Sequence, residues 1–377
     1  MDQDAMGSLD DAYVCAGCGV KLQSVNSRQL GYVPQTALEK EDITCQRCFR
    51  IKHYNEISTM TLDHNAFLHI LNHIGDTRSL VVHIVDIFDF EGSFISGLQR
   101  FIGANPVVLV VNKVDLLPKN LNFNKIEHWV RRQAKQYGIK LAEVVLTSAK
   151  KGIGFERVVE ALKQHKEQHD IYVVGATNVG KSTLINRLIT DYSDLKRELT
   201  TSVYPGTTLD VVEIPLDDGT RIIDTPGIVY HHRLTEVAAK TDLPTIMPGT
   251  TIKPKVYQLH EAQTLFFGAM VRFDFVRGQP QSFTCYTANH LPIHRTKLER
   301  ADELYQTHKG GMLSPPDQDR LHELPSWTKH SFKVQQGSNT DIAVSGLGWI
   351  QVNSSLGANL VIHAPAGVKV IMREAMI

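Results

Sequence analysis

Gly175-Ala176-Thr177-Asn178-Val179-Gly180-Lys181-Ser182 is the stretch that decides the fold. It follows an apolar run at 170–174 and opens a segment, 179–189, with helical spacing. Strand, Gly-rich turn and helix in that order form the setting in which such a sequence cradles phosphate. Gly175 and Gly180 let backbone amides point at an anion, and the helix N-terminus adds its positive end. Lys181 would reach the β- and γ-phosphates and Ser182 would ligate Mg²⁺. Thr177, Asn178, Val179 and Thr183 complete the expected cradle.

Working outward, Asn112-Lys113-Val114-Asp115 follows the apolar run 107–111. The Asp115 carboxylate can accept from both guanine N1–H and the exocyclic amine, which adenine cannot supply. A site built to satisfy such a group rejects the analogue by about 10⁴–10⁵. Asn112 and Lys113 would brace this loop and pack along the base. Ser148-Ala149-Lys150 reads as the companion base loop, with the Ala149 amide approaching the guanine carbonyl. Downstream, Thr207-Thr208 after Pro205-Gly206 either supplies the second switch contact, with Thr208 favoured as the Mg²⁺ ligand, or merely starts a strand. Asp224-Thr225-Pro226-Gly227 would set Asp224 on Mg²⁺ through water and the Gly227 amide against the γ-phosphate. Lys181, Asn178, Thr208 and Gly227 are thus the candidates for the hydrolytic step.

These are the parts of a P-loop GTPase in an altered order, because an ordinary GTPase places the phosphate loop first and the guanine motif near its end. The chain reads as a circular permutation. Domain termini lie at the surface and often near each other, so old ends can be joined and a new opening made elsewhere. The join falls in or just after the helix ending near Asp170, and the new start lies before Leu80. Ile228 stands where Ras-type GTPases carry the glutamine that orients the attacking water. A branched hydrocarbon cannot do that, which predicts slow unassisted hydrolysis.

The 377 residues allow two or three domains, and 42% hydrophobic with 21% charged residues is ordinary for globular protein. Forty basic and forty acidic side chains cancel, so no overall field advertises nucleic acid or membrane. No apolar run approaches the roughly 18 residues that span a bilayer, and no N-terminal segment resembles a signal peptide. A cytoplasmic location without a membrane partner is the expectation. Cys15-Ala16-Gly17-Cys18 and Cys45-Gln46-Arg47-Cys48 have the paired spacing of a tetrahedral zinc module. Four thiolates close the coordination shell, so Zn²⁺ there would support folding and not catalysis. Arg47, Arg50, Lys52 and His53 either face phosphate or form a solvated basic face. Cys285 stands alone in a predicted strand and reads as a core residue.

Three domains follow: a zinc module at 12–58, a permuted α/β GTPase domain at 59–235, and a mixed, largely β domain at 236–377. Strands are expected at 80–87, 107–111, 144–147 and 171–175, helices at 125–137 and 155–169, and a hairpin at 211–215 and 220–224. Residues 231–254 read as a loop. Beyond it, 265–277, 282–286, 342–352, 358–364 and 367–373 have strand character, 294–308 looks helical, and 310–326 is a Pro-rich connection. The 17 His residues show no convincing ligand or triad spacing, and nothing suggests a haem or flavin site. A further metabolic activity is therefore not indicated. His231-His232 read as loop side chains close enough to the switch to assist hydrolysis.

Together these features resemble the YqeH family of bacterial GTPases. The likeness runs from Cys15 to the C-terminus and includes Cys45-Gln46-Arg47-Cys48-Phe49-Arg50 and Asp86-Ile87-Phe88-Asp89-Phe90. It implies an assembly factor for the small (30S) ribosomal subunit, with the 30S subunit or its precursor and 16S rRNA as partners, and no DNA. It also implies the hydrophobic residue at Ile228, RNA-binding flanking domains and stimulation by K⁺. In related GTPases with Asn at the place of Asn178, potassium sits beside the phosphates; here Asn178 either marks such a site or simply caps the loop. The alternative to a GTP/GDP switch is a GTP-binding scaffold or RNA-binding protein that does not use turnover.

Overall fold

The computed structural model describes residues 14–15, 20–27, 31–35, 43–46, 49, 61–62, 64–192, 200–203, 210–352 and 355–377. They form two compact units. One gathers the described parts of Met1–Val85, Ile95–Asn112 and Arg131–Val229; the other takes Asp86–Phe94, Lys113–Val130 and Tyr230–Ile377. The division falls inside the guanine motif, between Asn112 and Lys113.

The first unit is built on strands β1 (Thr61–Leu62), β2 (Ser79–Asp86), β3 (Val107–Asn112), β4 (Leu141–Leu146), β5 (Asp170–Gly175), β6 (Thr200–Val203), β7 (Asp210–Pro215), β8 (Arg221–Asp224) and β9 (Gly227–Ile228). Seven of these form one sheet in the order β4-β3-β2-β5-β8-β7-β6. Every residue of β2 and β3 is buried, as expected where both faces of a parallel sheet are covered. β5 lies between β2 and β8 and runs parallel to both. The chain therefore builds outward from β2 to the edge at β4, then returns to the centre at β5. That return makes a topological switch point, and ligands bind beyond the carboxyl ends of strands at such points. All four expected strands are present, and β7 and β8 form the expected antiparallel hairpin.

The helices follow from spacing and caps. Helices α1 (His64–Gly75), α2 (Phe123–Gln136), α3 (Phe155–His165) and α4 (Lys181–Tyr192) intervene between the strands. Asn122 Oδ1 accepts from the Asn124 and Lys125 amides at 3.0 and 3.4 Å, the side-chain cap that starts a helix. Ile126, Trp129, Val130 and Ala134 are then buried, one stripe at helical period. α3 buries Phe155, Val158, Val159 and Leu162 in the same way. No helix among the described residues is long and apolar enough to cross a membrane.

Near the N-terminus, Cys15, Leu22, Val33, Ile43 and Cys45 share a small buried cluster. The Cys45 amide donates to Cys15 Sγ at 3.1 Å. Cys18, Cys48, Arg47, Arg50, Lys52 and His53 lie outside the described residues. Among the described residues no three His, Cys, Asp or Glu side chains gather as a metal site.

The second unit is largely β. Its strands are β10 (Lys255–Leu259), β11 (Gln263–Phe267), β12 (Val271–Arg277), β13 (Gln281–Thr287), β14 (Ile293–Lys297), β15 (Trp327–Val334), β16 (Thr340–Val344), β17 (Gly348–Val352), β18 (Ala358–Pro365) and β19 (Val370–Glu374). They form two five-stranded sheets, β10-β13-β17-β16-β19 and β14-β11-β12-β18-β15. Leu265, Phe273 and Ile362 of one sheet and Phe283, Ile342 and Ile350 of the other share one core. The run at 265–277 divides into β11 and β12 at Gly268, whose φ of 55° favours glycine and where a Cβ would lie 2.4 Å from the Pro315 carbonyl oxygen.

The expected helix at 294–308 is corrected. Its first part is β14, pairing Ile293 with Phe267 and His294 with Phe266, and only Ala301–His308 is α-helical (α5). Cross-strand pairing outweighs the weak helical spacing there. β10 and β15 were not expected; 4 of the 5 residues of β10 and 7 of the 8 of β15 are not buried, which leaves little apolar alternation to read.

Cys285 lies in β13 with no exposed surface, and burial pushes its thiol up to about 12. At pH 8 the thiolate that reacts with alkylating agents is then scarce. Iodoacetamide at pH 8 should leave Cys285 unmodified in the native protein and alkylate it after denaturation, as read by peptide mass spectrometry. Native modification at the denatured rate would show that the strand does not bury it.

Candidate nucleotide-binding site

β5 delivers the chain into the loop 175–182, and α4 begins at Lys181. Two left-handed residues shape the turn, Asn178 at φ 61° and Gly180 at φ 89°. Gly180 is required twice over, because a Cβ there would come 2.3 Å from Asn112 Nδ2. Val179 is fully buried, Thr177 and Ser182 are buried, and Asn178 and Thr183 face outward.

Asn112, at the end of β3, joins the loops that the sequence keeps apart. Its Nδ2 donates to the Val179 carbonyl at 2.8 Å, and its Oδ1 accepts from the Ala149 amide at 2.9 Å. One buried side chain thus ties the guanine motif to the phosphate loop and to the Ser148-Ala149-Lys150 loop. The Ala149 N–H, expected to face a base carbonyl, is engaged by Asn112. Ser148 closes its own turn, its amide donating to the Ile153 carbonyl at 2.9 Å and its carbonyl accepting from Gly152 at 2.7 Å. Lys150 is exposed.

Arg187 was not read from the sequence. From α4 its Nη1 donates to the Ala149 carbonyl at 3.0 Å, while the guanidinium lies 5.3 Å from the centre of the Phe155 ring. It braces the companion loop from the helix that the phosphate loop opens. No short motif contains it; only its position on the second turn of α4 could have drawn attention to it.

Lys181 and Asp224 are paired through Nζ and Oδ1, both side chains buried. The phosphate-loop cation and the carboxylate expected near Mg²⁺ are therefore neighbours. Thr225 Oγ1 donates to the Val173 carbonyl at 2.8 Å, tying the switch motif to β5. The Gly227-Ile228 backbone runs parallel to β1, with Thr61 opposite Gly227 and Leu62 opposite Ile228. The Ile228 carbonyl accepts the Thr177 amide at 2.8 Å, and the side chain is 1% exposed. Thr207 and Thr208 lie outside the described residues.

Lys113 and Asp115 belong to the second unit. Lys113, left-handed at φ 67°, directs its ammonium to Asp86 Oδ2 at 2.6 Å. Asp115 lies in a single 3₁₀ turn, Val114–Leu116, and is half-buried. His232 also lies in this unit, its Nε2 3.2 Å from the Gly92 carbonyl oxygen, and burial lowers its pKa. That contact gives it a structural position.

Residues 170–246 match the family model described as 50S ribosome-binding GTPase, and 280–376 match that described as YqeH-like, C-terminal. The first match starts at β5, so the guanine motif lies ahead of it in the chain. The chain is 48% identical over 364 residues to the uncharacterized protein YqeH of Bacillus subtilis, covering 97% of this chain and 99% of that protein. It is 30% identical over 430 residues to a putative nitric oxide synthase of Oryza sativa, covering 99% and 79%. Identity is 29% over 387 residues to NO-associated protein 1 of Arabidopsis thaliana, covering 90% and 69%.

Asn112→Ala should leave the Val179 carbonyl and the Ala149 amide unpaired in a buried setting. We expect a loss of about 1–3 kcal/mol in urea unfolding. An unchanged midpoint would mean that this side chain does not hold the loops together.

Proposed function

Since the chain belongs to the YqeH family of GTP-binding proteins, we propose that it binds GTP and GDP through 112–115, 148–150, 175–183 and 224–227, hydrolyses GTP slowly, and serves as a switch in small-subunit assembly. The two-way hydrogen bonding of Asn112 carries this reading. It fixes the start of the guanine motif to the phosphate loop, and Asp115 follows three positions on in the chain. Asp115 would accept from the base. Gly180 and its neighbours would present backbone amides to the phosphates, with Lys181 exchanging Asp224 for a phosphate oxygen. Ser182 and Thr208 would ligate Mg²⁺, with Asp224 acting through water. Mg²⁺ supplies charge neutralisation at the phosphates when bound.

The buried Ile228 side chain supports slow turnover, since it has no polar atom to orient water. Asn178, exposed and left-handed at the loop apex, is the residue that would face a K⁺ ion. Ribosome association is supported by the family model described as 50S ribosome-binding GTPase that matches 170–246; the choice of the small subunit rests on the sequence resemblance alone. In this order the switch motif leads directly into the C-terminal half, so γ-phosphate contacts at Gly227 would bias the segment that follows and, through it, binding to 16S rRNA or the pre-30S particle. Zn²⁺ would be held by Cys15, Cys18, Cys45 and Cys48. The amide-to-sulfur bond from Cys45 to Cys15 fits a metal-binding thiolate steadied by a neighbouring backbone donor.

Lys181→Ala should abolish binding of labelled GDP while leaving zinc content unchanged by metal analysis; normal GDP binding would contradict the loop assignment. For the switch, affinity for 16S rRNA and 30S subunits should differ between a non-hydrolysable GTP analogue and GDP at fixed salt. Equal affinities would leave the scaffold reading in its place.

A further inference from the structure

Beyond Asn112, the guanine loop is held from two sides by groups of its own unit. Lys113 is anchored on the buried Asp86 carboxylate, which also accepts the Phe88 amide at 2.9 Å. On the other side a strap from residues 251–252 runs along the loop. Thr251 Oγ1 donates to the Asp115 carbonyl at 2.9 Å, and the Ile252 amide donates to the Leu116 carbonyl at 2.8 Å. Two consecutive carbonyls of one loop are thus bonded by two consecutive residues of another. Ile252 is 2% exposed, so the strap is packed as well as bonded.

Asn289 stands behind the strap. Its Nδ2 donates to the Thr251 carbonyl at 2.9 Å, and its Oδ1 accepts from the Lys253 amide at 2.8 Å. Lys255 Nζ adds bonds to the Asn289 and Leu291 carbonyls at 3.2 and 2.8 Å. The strap is in this way continuous with the turn that follows β13. Among the described residues no group bonds the Asp115 carboxylate, which stays available while its own main chain is pinned.

We propose that Thr251, backed by Asn289, is a positioning residue for guanine selectivity: it fixes the main chain of Asp115 and thereby the carboxylate that reads the base. This rests on the reading of Asp115 as the guanine acceptor. It gives the C-terminal unit an input to nucleotide affinity distinct from the switch. Binding free energies are reciprocal, so whatever displaces the strap changes affinity for guanine, and guanine in turn biases the strap.

Thr251→Val keeps the volume and removes the donor; Thr251→Ser restores it. Affinities of the full chain for GDP, inosine diphosphate and xanthosine diphosphate are measured by titration. Inosine lacks the exocyclic amine, so it offers the carboxylate one bond where guanine offers two. Thr251→Val should weaken GDP about three- to tenfold, the scale of one hydrogen bond. It should weaken inosine diphosphate less, narrowing the ratio between them, and Thr251→Ser should return both to wild type. Wild-type affinities in Thr251→Val, or equal losses for the two nucleotides, would overturn the proposal. Asp115→Asn is the separate arm: it should shift preference from GDP to xanthosine diphosphate, and retained GDP preference would sink the underlying reading itself.

Discussion

The Asn112 side chain donates to the Val179 carbonyl and accepts from the Ala149 amide, and the loops at 175–182 and 148–150 are joined through those two bonds. An amide group is suited to the position because it carries a donor and an acceptor on one rigid plane. Asp at this place would have no donor for Val179, and a hydrophobic residue would strand both partners in a buried setting. The contact also constrains Gly180, where any Cβ would collide with the Asn112 amide. Chain order is immaterial to this geometry. What matters is that β3 and β5 flank β2 in the sheet, and a permutation that keeps the sheet order keeps the bonds.

The second unit adds an unusual division of labour. The loop after β2 and the guanine loop beyond Asn112 both group with the C-terminal strands. Asp89 is buried against Arg233 Nε at 2.7 Å and Ser345 Oγ at 3.0 Å. Glu91 pairs with Arg373, whose guanidinium lies 4.8 Å from the Trp129 ring centre and 5.5 Å from that of Trp349. Buried charges of this kind are costly unless fully partnered, so they fix one arrangement more than they add stability. Asp86-Ile87-Phe88-Asp89-Phe90 thus acquires a physical meaning. Its Asp86 holds Lys113, its Asp89 holds Arg233, and Phe90 packs edge-on against Trp129 with 5.3 Å between ring centres.

The parallel strands, the hairpin and the phosphate loop were legible because each depends on local pattern: apolar runs, paired turn residues, and glycines where the chain must turn left-handed. Asn112 and Gly180 sit in recognisable spacings, and these two residues meet. Arg187, Thr251 and Asn289 were not. Each acts through a bond to a main-chain carbonyl or amide distant in sequence, and such a bond accepts many donor types and leaves no pattern. β14 was misread for a related reason: Ile293 and His294 become strand only because Phe267 and Phe266 lie opposite. Cys15 and Cys45, one from each close pair, lie together, the Cys45 amide donating to Cys15 Sγ.

On the proposed reading, a single nucleotide would be held by loops that the chain presents in reversed order. A crystal structure of the full chain with GDP tests it most directly. The diphosphate should lie on the backbone amides of 177–182, with guanine N1 and its exocyclic amine roughly 2.7–3.2 Å from the Asp115 carboxylate. A diphosphate seated on that loop with the base bound away from Asp115 would contradict it.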